Sequence, residues 1–285
     1  MNLLASTVAR FGATDRRDAW WLYPLMVASG LGFFVVYATY AGFSNAHFSW
    51  GSYLSPFYSP LLPVPDWIKQ VAPWFTPAML ILIWPAGFRA TCYYYRKAYY
   101  RSFFFHPPAC AVGEGRPHGT YTGERAFPWI LQNVHRFFLY VAILFIGLLG
   151  YDALLGFVYP VNPDGSLLVN YHQLSHAEFA ASGAKLKFGV GVGTLVLVLN
   201  VVLLSGYTFG CHSLRHLVGG KHDCFSCHVN GGPNPPASFK AWKAVSFLNQ
   251  RHEMFAWLSL FSVLFTDFYI RMVSMGFWKD FYILF

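Results

Sequence analysis

Residues Gly210–Gly232 read GCHSLRHLVGGKHDCFSCHVNGG, a run crowded with metal-capable side chains. Cys211, Cys224 and Cys227 are three of the chain's five cysteines, and His212, His216, His222 and His228 are four of its eleven histidines. Seven such side chains fall within eighteen positions. His212 and His216 are spaced i, i+4, and Cys224 and Cys227 form a CxxC, both of them ligand spacings. Four readings compete. The plainest is a reduced loop whose residues do nothing jointly. Cys224-Phe225-Ser226-Cys227-His228 fits the C-x-x-C-H pattern of c-type haem attachment letter for letter. Two His and two Cys also make a tetrahedral structural zinc site, which folds a loop and carries no electrons. The same donors can hold a Rieske-type 2Fe–2S cluster, with two thiolates on one iron and two imidazoles on the other. Neutral imidazoles leave that cluster less negative, so it accepts an electron more readily, which suits delivery to a quinone.

Spacing leaves the ligand set open as four of Cys211, His212, His216, Cys224, Cys227 and His228. In one set His212 and His216 grip one iron from one helical face, and Cys224 and Cys227 hold the other. In the rival set Cys211 joins Cys224 or Cys227, and His212 or His216 joins His228. Arg215 and Lys221 offset cluster charge in both. The usual Rieske pairing of C-x-H with C-x-x-H is absent, so a soluble Rieske domain is not implied.

The elements that must position this stretch are long and apolar. The chain has 285 residues, of which 55% are hydrophobic and 11% charged, against about a quarter charged in an ordinary soluble domain. A bilayer-crossing helix needs about 20 mostly apolar residues. Five stretches qualify, at residues 20–41, 77–95, 129–158, 186–209 and 247–270, with Pro85 expected to kink the second. The fold class expected is therefore all-α, a polytopic membrane protein built as a five-transmembrane-helix bundle in one domain. Met1–Asp18 is polar and carries no secretory signal pattern. The net charge of +8 could suggest nucleic acid, but the basic residues gather between the apolar runs, so membrane lipid is the expected partner and nucleic acid is not.

Lys and Arg set the orientation. They crowd the N-terminal segment (Arg10, Arg16, Arg17), the second loop (Arg96, Lys97, Arg101, Arg116, Arg125) and the fourth loop (Arg215, Lys221, Lys240, Lys243). The first loop has Lys69 and the third has Lys185. The N-terminus, second loop and fourth loop are thus expected in the cytoplasm. That places the Cys/His loop, residues 210–232, on the cytoplasmic side and weakens the c-type haem reading, because such haems are attached on the opposite face.

Five helices with the N-terminus inside resemble the single-chain membrane anchor (cytochrome b-type subunit) of succinate dehydrogenase and fumarate reductase, respiratory complex II. Cys211-His212-Ser213-Leu214-Arg215-His216-Leu217-Val218-Gly219-Gly220 looks like the end of the fourth helix in actinobacterial anchors, and Cys224, Cys227 and His228 resemble the branch with a Rieske-type 2Fe–2S cluster. The resemblance implies a flavoprotein and an iron–sulfur subunit docked on the cytoplasmic face of a bacterial plasma membrane. It also implies a quinone as electron acceptor. The stretch 77–95 contains no histidine, so the usual two-haem arrangement cannot be built, although one haem b from His135 with His252 or His212 stays open. Ionisable groups at membrane depth are functional candidates. His135, Arg136, Arg251, His252 and Glu253 sit at the expected cytoplasmic ends of spans three and five and could line a quinone pocket, with Trp242 stacking on the ring. Asp267 and Arg271 read as a structural ion pair. His172 and His176 read as surface residues.

Overall fold

The computed structural model describes residues 10–114, 130–220, 224 and 237–285. In chain order, α1 (Leu22–Ser44) leads to the hairpin β1 (Ser49–Trp50) and β2 (Tyr53–Leu54), then to α2 (Asp66–Val71), α3 (Pro77–Ala90) and α4 (Tyr93–Ser102). α5 (Leu131–Leu155) runs into β3 (Val158–Val161), and after a 3-10 turn comes α6 (His176–Ser182). β4 (Lys185–Gly191) passes directly into α7 (Val192–Phe209). α8 (His212–Gly219), α9 (Ala237–Asn249), α10 (His252–Ser274) and β5 (Tyr282–Leu284) follow. Two compact units emerge, residues 1–36 with 87–135 and residues 37–86 with 136–285.

Helices form where the apolar runs lie, because backbone polar groups in hydrocarbon must be satisfied within the segment. Among the described residues, four helices are long and apolar enough to cross a membrane: α1, Asn133–Leu155 within α5, α7 and α10. The second expected span is shorter than its sequence suggests. α3 has 14 residues and continues through Pro85 without a break, giving about 21 Å at ~1.5 Å per residue. It ends where Thr91 Oγ1 donates back to the Gly87 carbonyl at 2.7 Å, and α4 then begins a separate helix.

The all-α expectation needs correction. β3, β4 and β5 form an antiparallel sheet in that order, with Phe188 opposite Val158 and Val190 opposite Ile283. Residues 186–191, expected inside the fourth span, are therefore strand. Lys185-Leu186-Lys187-Phe188 alternates with period two, and Gly189 and Gly191 weaken helix further. At Gly191 a Cβ would lie 2.4 Å from the Tyr159 hydroxyl, so the strand can pass there only as glycine. The fifth span also shifts: α9 ends at Asn249 and α10 starts afresh at His252 and runs to Ser274.

In the larger unit, the core beside this sheet is Tyr53, Ala153, Tyr159, Val161, Leu197 and Ile270. Its polar centre is buried Asp280, which accepts from Tyr53 OH (2.8 Å), Tyr269 OH (2.6 Å) and the Gly193 backbone N–H (3.0 Å). Burial in this cluster raises the Tyr53 and Tyr159 hydroxyls above the ordinary tyrosine pKa. The expected Asp267–Arg271 pair is present and fully buried, with Nε 2.7 Å from Oδ2. Its remaining valences are filled: Ser55 and Tyr37 donate to the carboxylate, and Arg271 donates to Ser44 Oγ and to the Ala41 and Ala46 carbonyls. A buried charge pair is tolerable only when satisfied to this degree. Asn162–Gly165 forms a turn, closed by Gly165 N–H to the Asn162 carbonyl at 2.9 Å with Gly165 at φ +86°.

In the smaller unit, Arg16 pairs with Asp18 and donates to the Cys110 carbonyl at 2.9 Å. Arg96 lies over the Tyr93 ring at 5.1 Å and Arg89 over the Tyr95 ring at 5.4 Å. Cys92 and Cys110 are not disulfide-bonded.

Candidate functional site

The site is built where α7 ends, α8 and α9 pack together and α10 begins. Glycine makes the approach possible. A Cβ on Gly206 would lie 2.4 Å from the Phe255 ring, and one on Gly219 would lie 2.3 Å from the Trp242 ring. α7 stops at Phe209, and Asn249 Nδ2 donates to the Gly210 carbonyl at 2.8 Å, pinning the turn against the end of α9. Cys211 is extended and caps α8, its sulfur accepting from the Ser213 backbone N–H at 3.3 Å. The fourth span ends at Phe209, as its expected bound has it, and His212 and His216 belong to a separate helix after the break at Gly210–Cys211. The i, i+4 relation survives, because His212 and His216 both belong to α8 and share one of its faces.

His252, first residue of α10, is buried and lies flat against the buried Tyr207 ring, with centroids 4.9 Å apart and planes at 15°. The His212 ring stands edge-on to it at 6.2 Å. Partial burial and then the Arg215 charge hold the His212 imidazole below the ordinary histidine pKa, so it is neutral and ligand-competent at neutral pH. Arg215 donates from Nε to Ser246 Oγ at 3.0 Å and covers the Trp242 ring at 5.2 Å. Trp242 stacks on buried Phe239. Cys211 is buried and not disulfide-bonded.

The remaining expected site residues are placed as follows. Arg251 is exposed and folds its guanidinium over Phe247 at 4.2 Å. Glu253 is exposed in the first turn of α10, and Arg136 is exposed on α5. His135 belongs to the smaller unit; it is buried, stacked on Phe88 at 4.7 Å, with Nδ1 2.9 Å from Thr91 Oγ1. Cys227 and His228 lie outside the described residues. Cys224 is disulfide-bonded, so it could act as a thiolate ligand only after reduction. Among the described residues, no group of three or more His, Cys, Asp or Glu side chains is arranged to hold a metal ion.

Tyr207, Thr91 and Phe88 were not singled out from the sequence. Tyr207 had a signal, being an aromatic hydroxyl one turn before Cys211 in an otherwise aliphatic span. The expected surface position of His172 also needs correction. It is partly buried in the field of Asp152, and burial lowers its pKa.

Comparison with known proteins bears on this arrangement. The family described as actinobacterial succinate dehydrogenase subunit SdhC matches residues 22–164 and 165–276. Among solved structures, a chain of the Mycobacterium smegmatis Sdh1 complex in the apo form is 40% identical with a TM-score of 0.73, over 94% of this chain and 92% of that one. No curated protein matches. The chain therefore belongs to the family of actinobacterial succinate dehydrogenase SdhC subunits, multi-pass inner-membrane anchors of that enzyme rather than its succinate-oxidising flavoprotein.

Proposed function

We propose that this anchor is where electrons from a flavoprotein and iron–sulfur pair of subunits reach a membrane quinone, and that four of Cys211, His212, His216, Cys224, Cys227 and His228 hold a Rieske-type 2Fe–2S cluster. The observation that supports the reading is the approach of the His212 and His252 rings, 6.2 Å apart beside the break that Cys211 opens at the start of α8, although 40 residues separate the two in sequence. The donor chemistry supports the reading: Cys211 is buried and not disulfide-bonded, His212 and His216 share one helical face, and Arg215 on the same helix can offset negative charge. When bound, such a cluster supplies a one-electron relay of raised potential.

The surrounding residues position and protonate. Quinone reduction to quinol consumes two protons as well as two electrons. His252, held flat on Tyr207, and Glu253, in the same first turn, are the groups that can deliver them. Trp242, wedged against Gly219, covered by Arg215 and stacked on Phe239, borders this break and would meet a quinone ring with its edge. In this reading α3 is the fifth crossing, completed by neighbouring segments. The N-terminus, α4 and α8–α9 then face the cytoplasm, where Lys and Arg crowd the sequence, and the soluble subunits dock there.

Replacement of both His212 and His216 by Ala tests the reading in the assembled complex. Succinate-dependent quinone reduction is expected to fall to background while reduction of an artificial dye by the soluble subunits persists. Undiminished quinone reduction in that variant would remove these histidines from the electron path.

A further inference from the structure

The outer part of the three-stranded sheet presents an apolar face that the described residues leave largely exposed. Directly opposed residues share a face, and each strand alternates with period two. Tyr159, Val161, Gly189, Gly191 and Leu284 fall on the face turned to the core, and Lys185 and Lys187 stand on that same face at its exposed end. Leu186, Phe188, Phe281, Ile283 and Phe285 fall on the other, each at least 50% exposed. Phe188 ties this layer together, with ring centroids 6.0 Å from Phe157 and 6.0 Å from Phe285.

The sheet joins the ends of three long helices. α5 leads into β3, β4 leads into α7 with no residue between, and β5 follows the end of α10. The apolar face is therefore continuous with the lipid-facing stripe of α7, whose Val192, Leu195, Leu199 and Val202 are exposed at helical spacing. α7 itself has 18 residues, about 27 Å long against a hydrocarbon core of ~30 Å. The strand supplies the missing apolar length. Lys185 and Lys187 alternate with Leu186 and Phe188 and are exposed, and Lys279 stands two residues before Phe281. Among the described residues neither Lys185 nor Lys187 forms an ion pair: Glu178, seven residues before Lys185, bonds to Ser175, Asp164 bonds to Ser166, and Asp280 is occupied by Tyr53, Tyr269 and Gly193.

We infer that this sheet lies in the membrane interface, with its Phe188–Ile283–Phe285 face sunk into the acyl boundary and Lys185 and Lys187 gripping the phosphates of anionic phospholipid in that leaflet. This is an amphipathic β-sheet used as interfacial helices are used, by apolar burial together with cationic attraction to headgroups.

Two experiments on the assembled complex in native membranes test it. With a benzophenone amino acid at Phe188 or Ile283, illumination is expected to give lipid adducts by mass spectrometry. Cross-links to a second copy or another protein, or no adduct, would overturn the interfacial placement. In native mass spectrometry, K185Q/K187Q is expected to retain anionic phospholipid with about 30-fold lower affinity, at the usual strength of a lysine near a charged membrane surface. Unchanged retention would overturn the headgroup role. Both lysines are exposed, so the substitution leaves the core packing intact.

Discussion

Asp280 offers a quantitative test of how the bundle is fastened. Its Oδ1 accepts from both Tyr269 OH and Gly193 N–H, while its Oδ2 accepts from Tyr53 OH. Asp280→Ala removes all three acceptor contacts. Tyr53 OH keeps Tyr159 and Thr194 as partners, so Tyr269 OH and Gly193 N–H are the groups left buried and unsatisfied. At ~1–3 kcal/mol each, with a small cavity added, the loss is about 3–5 kcal/mol. Asp280→Asn behaves differently. Its carbonyl oxygen can keep both Oδ1 contacts, and its amide meets Tyr53 OH, which can turn to accept, so the loss is about 1–2 kcal/mol. For a chain of this size ~1 kcal/mol moves a thermal midpoint by roughly 2–4 °C. Thermal unfolding of the complex in nanodiscs should therefore place Asp280→Ala about 6–20 °C below the parent and Asp280→Asn well above it. An alanine variant indistinguishable from the parent, or an asparagine variant equally damaged, would refute the assignment of this carboxylate as a three-way acceptor.

Gly219→Val should push the Trp242 ring off α8, since even a Cβ would lie 2.3 Å from it; overpacking of this kind costs about 1–3 kcal/mol, and Trp fluorescence together with quinone reduction should both change. His252→Gln keeps polarity but removes a titratable proton donor, so quinone reduction should fall about 100-fold with dye reduction preserved; equal loss of both activities would indicate failed assembly instead. His172 sets an acid limit. Burial lowers its folded pKa below the ordinary 6.5, so the unfolded chain binds more protons and stability is lost as pH falls below about 6.5. His172→Gln should flatten that acid-side decline in thermal midpoint, and an unaltered pH profile would show that another group governs it.

Much of this could be read from the sequence because the bilayer constrains it. Apolar runs at α1, α5, α7 and α10 have no other stable conformation in hydrocarbon than helix. The ion pair at Asp267 and Arg271 followed from i, i+4 spacing and the high cost of unpaired charge at membrane depth. β4 was hidden because Leu186, Phe188, Val190 and the following span form one apolar stretch; its period-two alternation, with Lys185 and Lys187 between, was the available signal. The end of the fourth span at Phe209 was legible from hydropathy, whereas the turn that starts α8 afresh depends on Asn249 reaching the Gly210 carbonyl, a long-range contact that a composition window does not see. Residue types and spacing in the Cys/His stretch pointed to metal-binding chemistry. The approach of His212 to His252, which itself stacks on Tyr207, arises from the packing of α7 against α10, which local spacing does not encode.

The central claim is that four cysteine and histidine side chains of this anchor hold a 2Fe–2S cluster on the path to quinone. Electron paramagnetic resonance of the dithionite-reduced complex tests it most directly, read beside the metal content of the same sample. The account predicts a His-ligated 2Fe–2S signal with a characteristically low average g value, lost in the variant with both His212 and His216 replaced by Ala while signals of the soluble subunits remain. An anchor with zinc in place of iron and acid-labile sulfide, or with a haem b spectrum and no such signal, would contradict it.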